Sequence, residues 1–336
     1  MSEKIFSLTS LRGIAALFVV ISHLASQSLY TSQQLHGIGE LGVSIFFSLS
    51  GFLMGYLYLL KPFDNNSAIQ YVISRFSRIA PAYLIVVVAS YVIYNFFDPT
   101  YTIAITNQNI LRHLLFSGNV SVLWSIPPEV QFYAVFLLFW YSIERCRSGK
   151  FLLFSLMIFI FVLSVSVKDS LPGTFVFSKI LSFLLGVYFG YLKSINVYER
   201  GCESVAHIMQ WLFIFWGVCL IFTPNSFVDS RMYWGDTYNA IWPAILVFFF
   251  SYTNKSLSYV LNFKGFQLLG EWSFSLYLTH VFALHIVSSY LPYNFIGSFL
   301  AVMFSLLFSG VFYYMVERKA VNATKKGLAS VVKSLR

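Results

Sequence analysis

Long apolar runs alternate with short polar, basic stretches along almost the whole chain. Ten such runs can be marked, at about 6–28, 38–60, 79–97, 124–143, 151–167, 174–192, 205–223, 238–252, 267–289 and 292–316. Roughly 20 mostly apolar residues in helical conformation cross the hydrocarbon core of a bilayer. The pattern therefore predicts an all-α, polytopic membrane bundle of about ten transmembrane helices. The eighth run is short, and the ninth carries His280 and His285. An even number of spans puts both termini on one side.

Loop charges choose that side. Lys4, Arg12, Lys61, Arg75, Arg78, Arg145, Arg147, Lys150, Lys193, Arg200, Lys255 and Lys264, with six basic residues after position 317, give eighteen on one face. Arg112, Lys168, Lys179 and Arg231 are the four on the other. Basic residues accumulate in cytoplasmic loops, so both termini are expected to be cytoplasmic. The longest outer loop, about 98–123, is polar ("TNQNILRH") and is a candidate for partial re-entry into the membrane.

Composition supports the same class. Hydrophobic residues make up 58% and charged residues only 10%, against about 25% charged in soluble domains. The net charge of +9 is spread between apolar runs, which argues for topology rather than nucleic-acid binding. Cys146, Cys202 and Cys219 are too far apart for a metal-ligand pattern. Arg12 interrupts the first run, against a cleaved signal peptide. The expectation is one membrane domain over residues 1–336, with a basic cytoplasmic tail at 317–336 and no appended soluble domain.

Ionisable residues within spans are costly and usually face a cavity or a partner. In "LTSLRGIAALFVVISHL", Arg12 and His23 are eleven residues apart. That is about 20° from three full helical turns, so both project from one face, roughly 16 Å apart. Arg12 alone reads as a snorkelling anchor, and His23 alone as an interhelical hydrogen bond; the shared face favours a functional pair. In "SRFSRIAPAYL", Arg75 and Arg78 stand one turn apart at the expected cytoplasmic mouth of the third span. Two guanidiniums on one face suit phosphate; the alternative is again an anchor.

"LWSIPPEVQFY" places Pro127 and Pro128 at a helix start and Glu129 in the first turn. Glu129 is either a capping acid or, at a depth expected to match His23, a carboxylate that orients an imidazole. "GVSIFFSLSGFLMG" reads first as close helix packing through small residues; Ser48 and Gly51 along a cavity wall are the sharper alternative. In "LGEWSFSLYLTHVFALH", Tyr277 and His280 share a face, and His280 is a second candidate base. His285 reads as an outer-leaflet polar residue. Glycine-rich phosphate loops, metal clusters and a nucleophile elbow are all missing from the sequence.

Five pieces in order, "SLRGIAALFVVISH", "GVSIFFSLSGFLMG", "RFSRIAPAYL", "LWSIPPEVQFY" and "LGEWSFSLYLTH", resemble the acyltransferase-3 family of integral membrane acyltransferases. The resemblance runs from about Phe6 to Glu317. It departs at Thr9 and Ser10, where the family often has "DG", and at Ser44, where it often has Asp. It implies transfer from cytoplasmic acyl-CoA, commonly acetyl-CoA, to a hydroxyl of an extracytoplasmic sugar. The short bacterial members that decorate lipopolysaccharide O-antigen or related surface glycans, in the inner (plasma) membrane, are the nearest type. Arg12, Arg75 and Arg78 would bind the donor, Ser48 and Tyr277 would contact substrate, and His23, Glu129 and His280 would be the catalytic set. No metal and no permanently bound cofactor is expected, and the partners are acyl-CoA, a glycan or lipid-linked glycan, and the bilayer. The rival class is a transporter or flippase of a glycan lipid. It accounts for the spans but not for phosphate-type arginines at one mouth together with a same-face histidine.

Overall fold

In the computed structural model the described residues are 5–26, 38–195, 202–222, 238–252, 255–291 and 295–334. Lys4, Arg200, Arg231 and Arg336 of the charge count, and the ends of the first, seventh and tenth expected spans, lie outside them. Helices and turns make up the described chain, with no strand among the described residues. The α-helices are α1 (Phe6–Ser26), α2 (Ile38–Tyr58), α3 (Asn65–Val92), α4 (Ile110–Leu114), α5 (Ile126–Arg147), α6 (Leu152–Val167) and α7 (Val176–Ser194). They continue with α8 (Cys202–Phe222), α9 (Tyr238–Phe250), α10 (Lys255–Leu261), α11 (Lys264–Tyr290), α12 (Phe295–Phe312) and α13 (Arg318–Ser334).

Seven helical stretches are long and apolar enough to cross a membrane. The apolar parts of α8 and α9, Ser204–Phe215 and Ala240–Phe250, are shorter. Helix α11 has the length, at 27 residues, but Gln267, Glu271, Thr279, His280 and His285 dilute its apolar character. Seven candidate spans among the described residues fit an integral membrane helical protein.

The chain divides into two compact units. The first holds residues 1–61, 179–274 and 291–302. Here α1 packs along α2, and α9 packs on α1, α2 and α8, around a core that includes Leu49, Phe52 and Val247. Helices α2 and α7 cross closely: a Cβ on Gly51 would stand 2.1 Å from the Phe183 carbonyl oxygen. The start of α1 is fastened to the α10–α11 junction. Ser10 Oγ donates to the Leu261 carbonyl at 2.5 Å, and Gln267 Nε2 donates to Ser10 Oγ at 2.7 Å. Ser10, one of the departures from the family pattern, therefore fastens one helix to its neighbours.

The second unit holds residues 62–178, 275–290 and 303–336. Helix α3 starts at Asn65, fourteen residues before the expected span. Asp64 caps it, its Oδ1 accepting from the Ser67 amide at 2.9 Å, and an amide bonded by a cap side chain fixes a helix start. The helix continues through a π-segment to Phe97. Tyr71, Phe136 and Trp140 pack between α3 and α5. The basic tail is helical: α13 lies along α3, showing it half-buried Val321 and Leu328 while Lys325 and Lys326 are exposed. The 98–120 loop folds onto its own unit, burying Ile103, Ile105 and His113. At its start Asp98 Oδ2 pairs with His285 Nε2 at 2.7 Å.

Candidate active site

The early start of α3 moves the arginine pair. Arg75 and Arg78 lie ten and thirteen residues beyond Asn65, about 15 and 20 Å along the helix. They are well inside a long helix rather than at its mouth, which corrects the placement read from the apolar run alone. Arg75 is 8% exposed, and its guanidinium carbon lies 5.8 Å from the ring centre of Tyr133 on α5. A desolvated cation over an aromatic face is attractive by up to about 2 kcal/mol. Tyr71 Oη donates to the Tyr133 carbonyl at 2.9 Å, which holds α3 and α5 in register at this level.

Tyr133 Oη donates in turn to Glu129 Oε1 at 2.6 Å. Glu129 is therefore one tyrosine away from Arg75, and both arginines act electrostatically on that same phenol. The expected separation, with arginines at one membrane face and Glu129 at the other, is corrected by this contact. The apolar run began at position 79, and the polar first turns of α3 had hidden its true length. Pro127 and Pro128 do open α5, and Glu129 does fall in its first turn.

One turn before Glu129, Ser125 Oγ donates to Tyr277 Oη at 2.7 Å, and Tyr277 Oη donates to the Val122 carbonyl at 2.6 Å. Glu129 also acts electrostatically on Tyr277. His280, fully buried on the next turn of α11, has Nδ1 at 2.8 Å from the Tyr277 carbonyl. A carbonyl only accepts, so Nδ1 carries the proton, and in the neutral ring Nε2 holds the basic lone pair. Arg75, Arg78, Glu129, Tyr277 and His280 thus belong to one unit. Tyr133 and Ser125, which join them, were missed in the sequence although both stand in the quoted motif; nothing in spacing distinguishes a bridging hydroxyl from a packed one.

Arg12, His23 and Ser48 belong to the other unit. Helix α1 is unbroken from Phe6 to Ser26, so Arg12 and His23 share a face as their spacing requires. Both are half-buried. His23 Nδ1 lies 2.8 Å from the Val19 carbonyl, which again leaves Nε2 as the basic nitrogen. Ser48 is fully buried on the α7 side of α2, where a Cβ on Gly186 would meet its carbonyl at 2.3 Å. Close packing, the first reading of this segment, is what the structure shows there. His285, besides Asp98, meets the edge of Tyr101 at 5.4 Å.

Apolar helices long enough to cross a membrane make this an integral membrane helical protein. The chain belongs to the acyltransferase-3 family: the family's acyltransferase domain matches residues 5–315. It is an acyltransferase. Acyltransferase MdmB of Streptomyces mycarofaciens is 26% identical over 314 residues, 82% of this chain and 77% of that protein. Peptidoglycan O-acetyltransferase OatA of Listeria monocytogenes is 25% identical over 308 residues, covering 82% of this chain but 48% of its own length. The O-acetyl transferase of Shigella phage Sf6 is 23% identical over 246 residues, 65% of this chain and 72% of that protein. These relatives support activity of the O-acetyltransferase type. No solved structure matches the chain.

Proposed function

We propose that this protein moves an acyl group, acetyl in the first instance, from cytoplasmic acyl-CoA to a hydroxyl of a surface glycan such as lipopolysaccharide O-antigen. It would do so as a single domain of ten spans in the bacterial inner membrane, with both termini cytoplasmic. The observation that carries the reading is His23. Its Nδ1 is committed to the Val19 carbonyl, so Nε2 can accept a proton, on the face it shares with Arg12. The relatives named as O-acetyltransferases support the reaction type.

In this reading His23 Nε2 takes the proton of the acceptor hydroxyl as its oxygen attacks the thioester carbonyl. The C–S bond breaks, the CoA thiolate leaves, and the imidazolium returns a proton to it. General-base assistance of this kind is worth about 10² to 10⁴ in rate. Arg12, Arg75 and Arg78 supply guanidiniums for the donor's phosphates, Glu129 and Tyr133 fix the orientation of Arg75, and Tyr277 contacts substrate. His280 is the second candidate base. The thioester provides the driving force, and no metal or permanently bound cofactor enters this scheme. The test is transfer of label from acetyl-CoA to glycan in membranes with and without the protein. Equal label in both would overturn the proposal.

A further inference from the structure

The α1–α2 pair carries a carboxylate at the level of His23. Gly39 is pressed against α1: a Cβ there would fall 2.7 Å from both Cβ and Oγ of Ser22. His23 follows Ser22, and Glu40 follows Gly39, so imidazole and carboxylate are carried at the same level of the two packed helices. Glu40 Oε2 is buried without a hydrogen-bond partner in the described structure. A buried carboxylate oxygen with no donor is strongly disfavoured. Lys179 of α7 lies within electrostatic reach, a smaller influence on Glu40 than its burial.

The same face of α2 continues the pattern. Ser44 and Ser48 follow Glu40 at four-residue intervals, and therefore line up with it. Ser48 Oγ is a second buried polar atom with no hydrogen-bond partner in the described structure. Further along, this face becomes the seam that packs Gly51 against Phe183. The end of the seam nearest His23 is thus polar and carries one carboxylate, while the rest is closed by packing.

We propose that Glu40 is a substrate-contacting carboxylate that accepts a hydrogen bond from a hydroxyl of the acceptor, next to the hydroxyl that is acylated. The acceptor class is a polyhydroxylated glycan. This inference rests on the O-acyltransferase reading and deepens it. A carboxylate takes hydroxyl protons in hydrogen bonds without itself transferring them, so its loss weakens acceptor binding and leaves donor use alone.

The test uses the purified full-length protein with labelled acetyl-CoA and, as probe, a panel of methyl glycosides from which the best-acylated one is chosen. Glu40→Gln keeps the shape and one acceptor oxygen, and is the variant least disturbing to folding. The expected result is an acceptor KM raised about tenfold in Glu40→Gln, a hydrogen bond to a carboxylate replaced by a weaker one to a neutral amide oxygen. The donor KM should stay within about twofold. An unchanged acceptor KM in a variant present at wild-type levels would overturn this inference alone. A rise confined to the donor KM would overturn it too. Absence of transfer to every glycoside by the wild-type protein would overturn the acceptor reading and this inference together.

Discussion

Replacing Tyr133 by Phe removes one oxygen atom at the centre of the arginine cluster. The phenol donates to Glu129 at 2.6 Å, and hydrogen bonds to charged groups contribute about 1.5–3 kcal/mol. The ring remains, so the face that Arg75 approaches at 5.8 Å is kept. What is lost is the hydrogen bond that holds the carboxylate in place. A Glu129 released from the phenol shifts the charge around Arg75 and Arg78 and competes with an incoming phosphate. With 1.4 kcal/mol per factor of ten, the apparent donor KM should rise roughly tenfold or more, with the acceptor KM unchanged. Initial rates against acetyl-CoA concentration measure this directly. A double-mutant cycle with Glu129→Gln adds a second reading: the two effects should be far from additive, because both act through one hydrogen bond. Unchanged donor kinetics in Tyr133→Phe, or additive effects in the cycle, would refute the coupling of Glu129 to the arginines.

Three further outcomes follow from the geometry. His23→Gln should be nearly as inactive as His23→Ala at matched membrane levels, since Gln bonds but does not take the proton; a Gln variant close to wild type moves the base to His280. Asp98 is held down to about 2, first by the Thr100 hydroxyl, then by His285 and the Thr100 amide. Its contribution to the 98–120 loop is therefore present above about pH 4, the ordinary carboxylate value, and lost as pH falls through about 2; protease cleavage of the loop followed against pH checks this, and Asp98→Asn should remove the dependence. A single cysteine placed near Asn107 should react with an impermeant thiol reagent from outside and one near Lys325 should not, the reverse pattern sinking the topology.

Helices were legible because membrane insertion requires apolar length, and length is written directly in the chain. Their ends were less so. The run from Ile79 to Phe97 is apolar, but α3 extends back to Asn65 because an Asp64 cap and the packing of Tyr71 against α5 stabilise turns that hydropathy alone would exclude. That single misread boundary placed Arg75 and Arg78 at a mouth and Glu129 opposite them. Arg12 with His23 came out correctly because their relation lies within one helix, where angular spacing is fixed. Relations between helices, such as Ser125 with Tyr277, depend on register and leave no trace in spacing. Ser48 could be recognised as small but not as sealed, because the residues that seal it lie on α7, well over a hundred positions away.

The departures from the family pattern now bear on the acceptor end. Ser44 stands where the family often has Asp, and Glu40 stands one turn earlier on the same face of α2, about 6 Å away along the helix. A face that needs one carboxylate can carry it at either position, provided the ligand reaches both. Ser44→Asp introduced into Glu40→Gln should therefore bring the acceptor KM back toward the wild-type value. Ser44→Asp alone adds a second carboxyl group beside Glu40, and two carboxyl groups one turn apart are mutually unfavourable when ionised, so it should give no gain and a small loss. The donor KM serves as the internal control in both, since no donor-binding arginine lies on α2. Rescue would show that charge on this face, rather than the particular side chain at position 40, is what the acceptor reads. If the double variant stays as weak as Glu40→Gln while folding normally, the ligand contact is confined to position 40, and Ser44 is a packing residue like Ser48.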